Sequence, residues 1–267
     1  MKIALIGGDD RQIYLKNLLE EDGHEVVDFA LTGEEDIDLV LRGAKAVILP
    51  LPAFKDGYLN APKSEEKYSK DYIISKTKSC PIVFGGMTDL EFVHDYYKRP
   101  ELIVKNAFIT AQCACALMQE ELKKDLCGMK ILITGYGRIG KFLAFQMKSM
   151  GAGVTVSSRK ASVRTEAECF GFSAVDTDGI EKHISGFDAV VNTVPSQIIG
   201  EDAVKSSKPE CVFMELASAP YGIDMDCCKG MDRKVIFAPG LPGKMMPAGA
   251  AKAMKDTIYN MMEEIYE

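Results

Sequence analysis

The chain has 267 residues, of which 47% are hydrophobic and 27% charged, and a formal net charge of -7 at pH 7. That length exceeds what a single core usually holds and favours two domains, and the composition excludes disordered and fibrous classes. The acidic balance argues against a general binder of nucleic acid or of membrane surfaces, because a polyphosphate would be repelled over most of the surface. The opening Met1-Lys2-Ile3-Ala4-Leu5-Ile6-Gly7-Gly8 is too short an apolar run for a signal-peptide core. No run approaches the roughly 18 apolar residues of a bilayer span. A cytoplasmic protein is expected, and its eight cysteines, with no CxxC pair, are expected to be reduced structural thiols.

Apolar runs of strand length alternate with helical stretches, the pattern of a parallel sheet covered on both faces. In the first half, strands are expected at residues 2–6, 25–31, 44–49, 81–84 and 101–104, and helices at 10–21 and 88–97. Pro50, Pro52, Gly57 and Pro62 mark residues 50–64 as a long surface loop. Helical spacing over residues 106–124 predicts a connecting helix. The pattern then restarts with a strand at 130–134, a helix at 139–150, and strands at 154–157, 189–194, 212–216 and 235–238. A final amphipathic helix at 248–267 has no strand after it and is expected to return to the first domain. The fold class is therefore α/β, with two Rossmann-like, doubly wound parallel-sheet domains. The first comprises residues 1–106 and 248–267, the connecting helix 107–127, and the nucleotide domain 128–247.

Gly135-Tyr136-Gly137-Arg138-Ile139-Gly140 follows a strand and opens a helix, the context in which a GxGxxG is informative. Gly135 permits the tight turn, Gly137 the approach of pyrophosphate to the backbone, and Gly140 the packing of helix on strand. The second strand of a site for NAD ends in an acid that binds the ribose hydroxyls. Here it ends Val156-Ser157-Ser158-Arg159-Lys160, which offers hydroxyls and two cations to a 2′-phosphate, so NADP(H) is the expected cofactor. The other reading makes Arg159 and Lys160 a solvated helix start. Asn192-Thr193-Val194-Pro195-Ser196 and Leu216-Ala217-Ser218 follow later strands and are expected to line the nicotinamide half, or else to serve only as turns.

In the first domain, Ile6-Gly7-Gly8-Asp9-Asp10-Arg11-Gln12 follows a strand but lacks the later glycines of a dinucleotide turn. Gly8, Asp9, Arg11 and Gln12 form a candidate anion site in which Arg11 holds a carboxylate bidentately and Lys244 supplies a second cation. Alternatively, Asp9 and Asp10 cap the helix and Arg11 is solvated. Arg11, Thr110 and Lys244 are the candidate catalytic residues. His24, His94 and His183 show no ligand spacing, and no metal site is expected.

Taken together, these segments, with Ala238-Pro239-Gly240-Leu241-Pro242-Gly243, resemble the A subunit of dipicolinate synthase along the whole chain. The resemblance implies an architecture like that of 2-hydroxy-acid dehydrogenases and oxidation of dihydrodipicolinate to dipicolinate in sporulation with NADP(H). It also implies partnership with the synthase's flavoprotein-like B subunit; a homo-oligomer is expected besides. Departures from the family pattern are Ile109-Thr110-Ala111-Gln112-Cys113 where Pro-Thr-x-Glu-Gly is expected, Ala219 in place of an arginine, and Pro247-Ala248-Gly249 in place of Pro-Lys-Thr. The alternatives are a D-2-hydroxy-acid-dehydrogenase-like enzyme and an idle, NADP-binding regulatory subunit.

Overall fold

Ile3 and Leu5 point to one side of the first strand and Ala4 and Ile6 to the other, and all four are fully buried. A strand apolar on both faces needs a cover on each, which is the condition for a parallel sheet between helical layers. The computed structural model describes residues 1–33 and 36–266. It divides into two compact units, Met1–Asn106 with Pro242–Glu267, and Ala107–Leu241.

The first unit runs β1 (Lys2–Ile6), α1 (Asp10–Glu21), β2 (Glu25–Phe29), α2 (Ile37–Leu41), β3 (Ala46–Ile48), β4 (Phe54–Lys55), β5 (Tyr58–Leu59), α3 (Lys70–Thr77), β6 (Val83–Gly85) and β7 (His94–Asp95). Its five-stranded sheet has the order β2-β1-β3-β6-β7, parallel throughout. One face packs Ile3, Leu5, Ile48 and Phe84 against Leu15 and Leu19 of α1 and Met254, Ile258 and Met261 near the C-terminus. The other packs Ala4, Ile6, Val47 and Val83 against Ile37, Val40 and Ile73.

Three expectations fail in this unit. Residues 101–104 are not a strand but the first turn of α4 (Pro100–Leu122). Pro100 stands at the first helical position, where its missing N–H is not needed, and the helical repeat overrides the β propensity of Leu102, Ile103 and Val104. Residues 88–97 are not a helix: the Asp95 carboxylate accepts the amides of Met87, Thr88 and Tyr97 at 3.1, 3.1 and 2.9 Å and holds a turn that leads into β7. Residues 50–64 are not simply a surface loop, since Asp56 and Gly57, at φ 52 and 81°, turn the β4–β5 hairpin and Leu51, Ala53 and Leu59 are buried. By length and composition, α4 is also apolar enough to cross a membrane, at a mean hydropathy of 1.3, with half of the stretch buried within the protein. Its Pro100–Asn106 part belongs to the first unit and the rest to the second.

The second unit continues with β8 (Lys130–Thr134), α5 (Arg138–Ser149), β9 (Gly153–Ser157), α6 (Ala161–Cys169), β10 (Ser173–Val175), β11 (Ala189–Asn192), α7 (Glu201–Ser206), β12 (Val212–Glu215), α8 (Met225–Gly230) and β13 (Val235–Phe237). Its strands run in the order β10-β9-β8-β11-β12-β13, all parallel, the order of a dinucleotide-binding sheet. Cys211 and Cys228 lie in its core and Cys113 and Cys115 on α4. Burial pushes Cys113 up to about 11 and the other three to about 12, so these thiols stay protonated and inert at neutral pH.

The chain re-enters the first unit at Pro242, within the short α9 (Leu241–Met245), and continues as α10 (Pro247–Tyr266). Lys255 and the Tyr259 hydroxyl both meet the Asp22 carboxylate just past α1, at 2.6 and 2.8 Å, and His24 Nε2 lies 3.0 Å from Tyr259. The sheet face left open by the shortage of crossovers is thus closed by the last helix.

Asp28, at the end of β2, ties that edge of the first sheet together. Its buried carboxylate takes Lys16 at 2.7 Å and the amides of Thr32 and Gly33 at 2.7 and 2.6 Å. Burial alone would raise its pKa, but the lysine and the two amides outweigh it and hold the group below its ordinary 3.8. A depressed folded-state pKa gives stability that is present above about pH 4 and lost as the pH falls below it. The Asp28→Asn variant is therefore expected to melt lower than the wild type at pH 7, with the gap closing toward pH 3; a gap independent of pH would exclude this linkage.

Candidate functional site

The strand order reverses between β8 and β11 in the second unit, and at such a point the loops diverge and leave a crevice at the carboxyl ends of the strands. The glycine loop lies there. Gly135 leaves β8 at φ 88°, and its N–H donates to Ser157 O at 3.0 Å. A Cβ on Gly135 would meet Val194 and Thr193 at 2.6 and 2.7 Å, and one on Gly140 would overlap the Gly135 carbonyl oxygen. Around Gly137, by contrast, nothing lies within 4 Å of a Cβ position, so a phosphate can reach the N-terminus of α5 over bare backbone. Gly137 and Arg138 are exposed and Ile139 is half-buried. These glycines fit a pyrophosphate.

Tyr136 does not offer its side chain. It is 5% exposed and packs edge-on against Phe172 at 6.1 Å, with Lys141 Nζ 5.4 Å from its ring centre. Its hydroxyl is buried with no hydrogen-bond partner among the described residues.

β9 itself ends without an acidic residue, and at its tip Ser158 is half-buried and Arg159 and Lys160 are exposed. Arg159 pairs with Asp178 at 3.2 Å, both well exposed, an ion pair weak enough for a ligand to displace. Sequence reading missed Arg164, one turn into α6. Its guanidinium donates to the carbonyls of Ser158 and Arg159 at 2.6 and 2.9 Å and meets Asp176 at 2.8 Å, so it shapes the loop from behind. The signal was a third cation five residues after Arg159.

The remaining loops are joined by a buried polar chain that also went unseen. Thr134, Asn192 and Glu215 end three adjacent strands in register. Thr134 donates to Asn192 Oδ1 at 2.6 Å, and Asn192 Nδ2 donates to Glu215 Oε1 at 2.6 Å and to Val194 O at 3.0 Å. Glu215, fully buried, also accepts the amides of Ala217, Gly222 and Ile223 at 2.9, 2.8 and 3.0 Å. Thr193 donates to Thr134 O at 2.7 Å. The network places Thr193 and Val194, half-buried, and Pro195 and Ser196, exposed, on the β11 loop, while Leu216 and Ala217 are buried and Ser218 is exposed after β12.

In the first unit the β1–α1 loop is built differently. Asp9 caps α1 and accepts the Arg11 amide at 3.0 Å. Arg11 Nε and Nη2 then reach the two Asp9 oxygens at 2.9 and 2.7 Å, and Nη2 also donates to Leu51 O. The bidentate face expected for a ligand is therefore held by Asp9, and among the described residues only the Nη1 edge is left without a partner. Arg11 lies against Gly243, where a Cβ would come within 2.9 Å of Nε. Lys244, the next residue on α9, is exposed. Gly8, at φ 117°, is covered by the Gln12 side chain, which would overlap a Cβ there. Thr110 is buried on the part of α4 that belongs to the second unit. The acid at the end of β2, Asp28, is spent on Lys16, Thr32 and Gly33 rather than offered to a ribose.

Comparison with known proteins agrees with this division of labour. Residues 2–99 match the family described as the N-terminal domain of the dipicolinate synthase A subunit, and residues 105–238 the D-isomer specific 2-hydroxyacid dehydrogenase NAD binding domain. The A subunit of dipicolinate synthase from Bacillus subtilis is 26% identical over 99% of this chain and 97% of that relative. The chain belongs to the family of dipicolinate synthase A subunits. The crystal structure of the Bacillus halodurans member of that family has a TM-score of 0.85 at 20% identity, covering 98% of this chain and 97% of that one. The crystal structure of the Bacillus subtilis protein has a TM-score of 0.84 at 24% identity, covering 100% and 97%. The second unit is accordingly an oxidoreductase-type domain for a nicotinamide dinucleotide.

Proposed function

We propose that the chain is an NADP-linked oxidoreductase subunit that converts dihydrodipicolinate to dipicolinate. The observation that carries the cofactor choice is the tip of β9, where Ser158, Arg159 and Lys160 stand in place of a ribose-binding acid. The substrate follows from the family. Under this reading the backbone from Gly135 to Gly140, capping α5, holds the pyrophosphate, Arg159 and Lys160 the 2′-phosphate, and the loops at Thr193–Ser196 and Leu216–Ser218 the nicotinamide end. The dinucleotide, bound in its oxidised form, would supply the hydride-accepting chemistry, and the proton that the dihydropyridine ring also loses on aromatising would pass to solvent. The part left to the protein is positioning within about 3–3.5 Å, which needs no strong side-chain base. Arg11, through Nη1, and Lys244, both in the first unit, anchor the two carboxylates. Partnership with the flavoprotein-like B subunit of the synthase, a homo-oligomer and a cytoplasmic location in sporulating cells complete the proposal.

Calorimetric titration tests the cofactor. NADPH is expected to bind at least tenfold more tightly than NADH, and Arg159→Ala to remove most of that preference while leaving NADH affinity unchanged. Tighter or equal binding of NADH to the wild type would overturn the assignment. A second reading, a nucleotide-binding protein without its own chemistry, is favoured by Gln112, which stands where the family pattern carries a carboxylate. Purified chain with NADP and dihydrodipicolinate is expected to form dipicolinate slowly, and faster with the flavoprotein-like partner. Product at no more than the spontaneous rate, with that partner present, would decide for the second reading.

A further inference from the structure

Gln12 carries a buried carboxamide that pairs with no described residue. The residue is 1% exposed, and neither Nε2 nor Oε1 has a hydrogen-bond partner among the described residues. It sits in the first turn of the twelve-residue α1, against the Gly8 backbone and one position after Arg11, whose Nη1 edge is likewise unspent. Buried amides are satisfied in the great majority of native proteins, and leaving one orphaned destabilises the fold. An apolar side chain of the same length would fill this position without that cost. Two unpaired polar atoms beside a half-paired guanidinium at a helix N-terminus are what a bound ligand would complete.

We infer that Gln12 is a ligand-binding and specificity-determining residue of the first unit, and that its ligand is a small carboxylate bearing a hydrogen-bonding heteroatom on the atom next to the carboxyl-bearing carbon or on that carbon itself. Arg11 Nη1 takes the carboxylate, and Gln12 takes the neighbouring heteroatom. The carboxamide carries both a donor and an acceptor, so it serves a bare ring nitrogen through Nε2 and an N–H or O–H through Oε1. One side chain therefore accommodates both members of an oxidation pair whose heteroatom gains or loses a proton. A charged group in its place would favour one member only. This inference rests on the carboxylate-site reading of the β1–α1 loop.

The test compares pyridine-2,6-dicarboxylate with benzene-1,3-dicarboxylate, which has the same two carboxylates without the ring nitrogen. By calorimetry the wild type is expected to prefer the pyridine compound about tenfold or more, and Gln12→Leu to lose that preference while keeping its affinity for the benzene compound. Equal affinities for the two compounds in the wild type, or a preference that survives in Gln12→Leu, would overturn the role of Gln12 while leaving the carboxylate site standing. Binding of neither compound to the wild type would overturn the site and the inference together. A second readout needs no ligand: Gln12→Leu is expected to melt higher than the wild type, by about 2–6 °C, because it removes an orphaned amide. A lower melting temperature would show that the amide has a structural partner and would overturn the inference.

Discussion

Gly140→Ala is expected to lower dinucleotide affinity at least ~100-fold, or about 2.7 kcal/mol, and to lower the melting temperature as well. Propensity alone predicts the opposite, because alanine in place of glycine inside a helix stabilises by up to about 1 kcal/mol. The difference lies in what the new methyl meets. It would overlap the Gly135 carbonyl oxygen and stand 3.5 Å from Thr193 Oγ1. That carbonyl cannot retreat cheaply, since Gly135 is held at φ 88° and tied to Ser157 O at 3.0 Å. The loop must therefore deform or α5 must lift from the sheet, and both changes spoil the phosphate cradle. Gly137→Ala provides the contrast. Gly137 has φ -80°, which alanine adopts without strain, and open space at its Cβ position. That variant is expected to melt like the wild type and still bind the dinucleotide weakly, because the methyl occupies the approach of the pyrophosphate. Titration and thermal melting of both variants check the pair. A Gly140→Ala protein with wild-type affinity would show that the loop is not the phosphate site.

The second large effect concerns Glu215, and it falls on stability. Glu215→Ala strips the acceptor from three main-chain amides and from Asn192 Nδ2, all in a region where Glu215 itself is fully buried. At ~1–3 kcal/mol for each stranded donor, the loss is expected to exceed ~4 kcal/mol, a large fraction of a typical domain's stability. Glu215→Gln keeps one acceptor oxygen but turns an NH2 group toward amides that are themselves donors, and is expected to cost about 2–4 kcal/mol. Urea unfolding gives both values. If Glu215→Gln lay within about 0.5 kcal/mol of the wild type, the network would not hold the loops after β11 and β12 together. Because those loops carry Thr193–Ser196 and Leu216–Ser218, the glutamine variant is also expected to weaken dinucleotide binding, in contrast to a purely peripheral stabilising group.

Much of the framework was legible in the chain because it depends on local rules. The bounds of β1, α1 and β8 follow from apolar runs stopped by Gly7, Gly23 and Gly135, and the observed elements keep those bounds. The glycine loop was legible for the same reason: the turn at Gly135, at φ 88°, and the closeness of Gly140 to the Gly135 carbonyl oxygen are both set within six residues. Residues 101–104 and 88–97 were misread where a local β or helical preference met a longer-range constraint, the full repeat of α4 in one case and the Asp95 carboxylate in the other.

What the tertiary structure alone decided is which polar groups meet. Thr134 and Asn192 are 58 positions apart, and Asn192 and Glu215 are 23 apart. Only the register of three parallel strands brings them into one line. The same holds for Arg11, whose residue type promised a bidentate anion contact. Its guanidinium is instead oriented by a cap two residues earlier and by a carbonyl 40 positions away. Residue types and short spacings state what a side chain is able to bind. Whether its donors and acceptors are already satisfied, as in Glu215, or left over, as in Gln12 and the Nη1 edge of Arg11, depends on distant backbone that the packing of the sheet brings alongside.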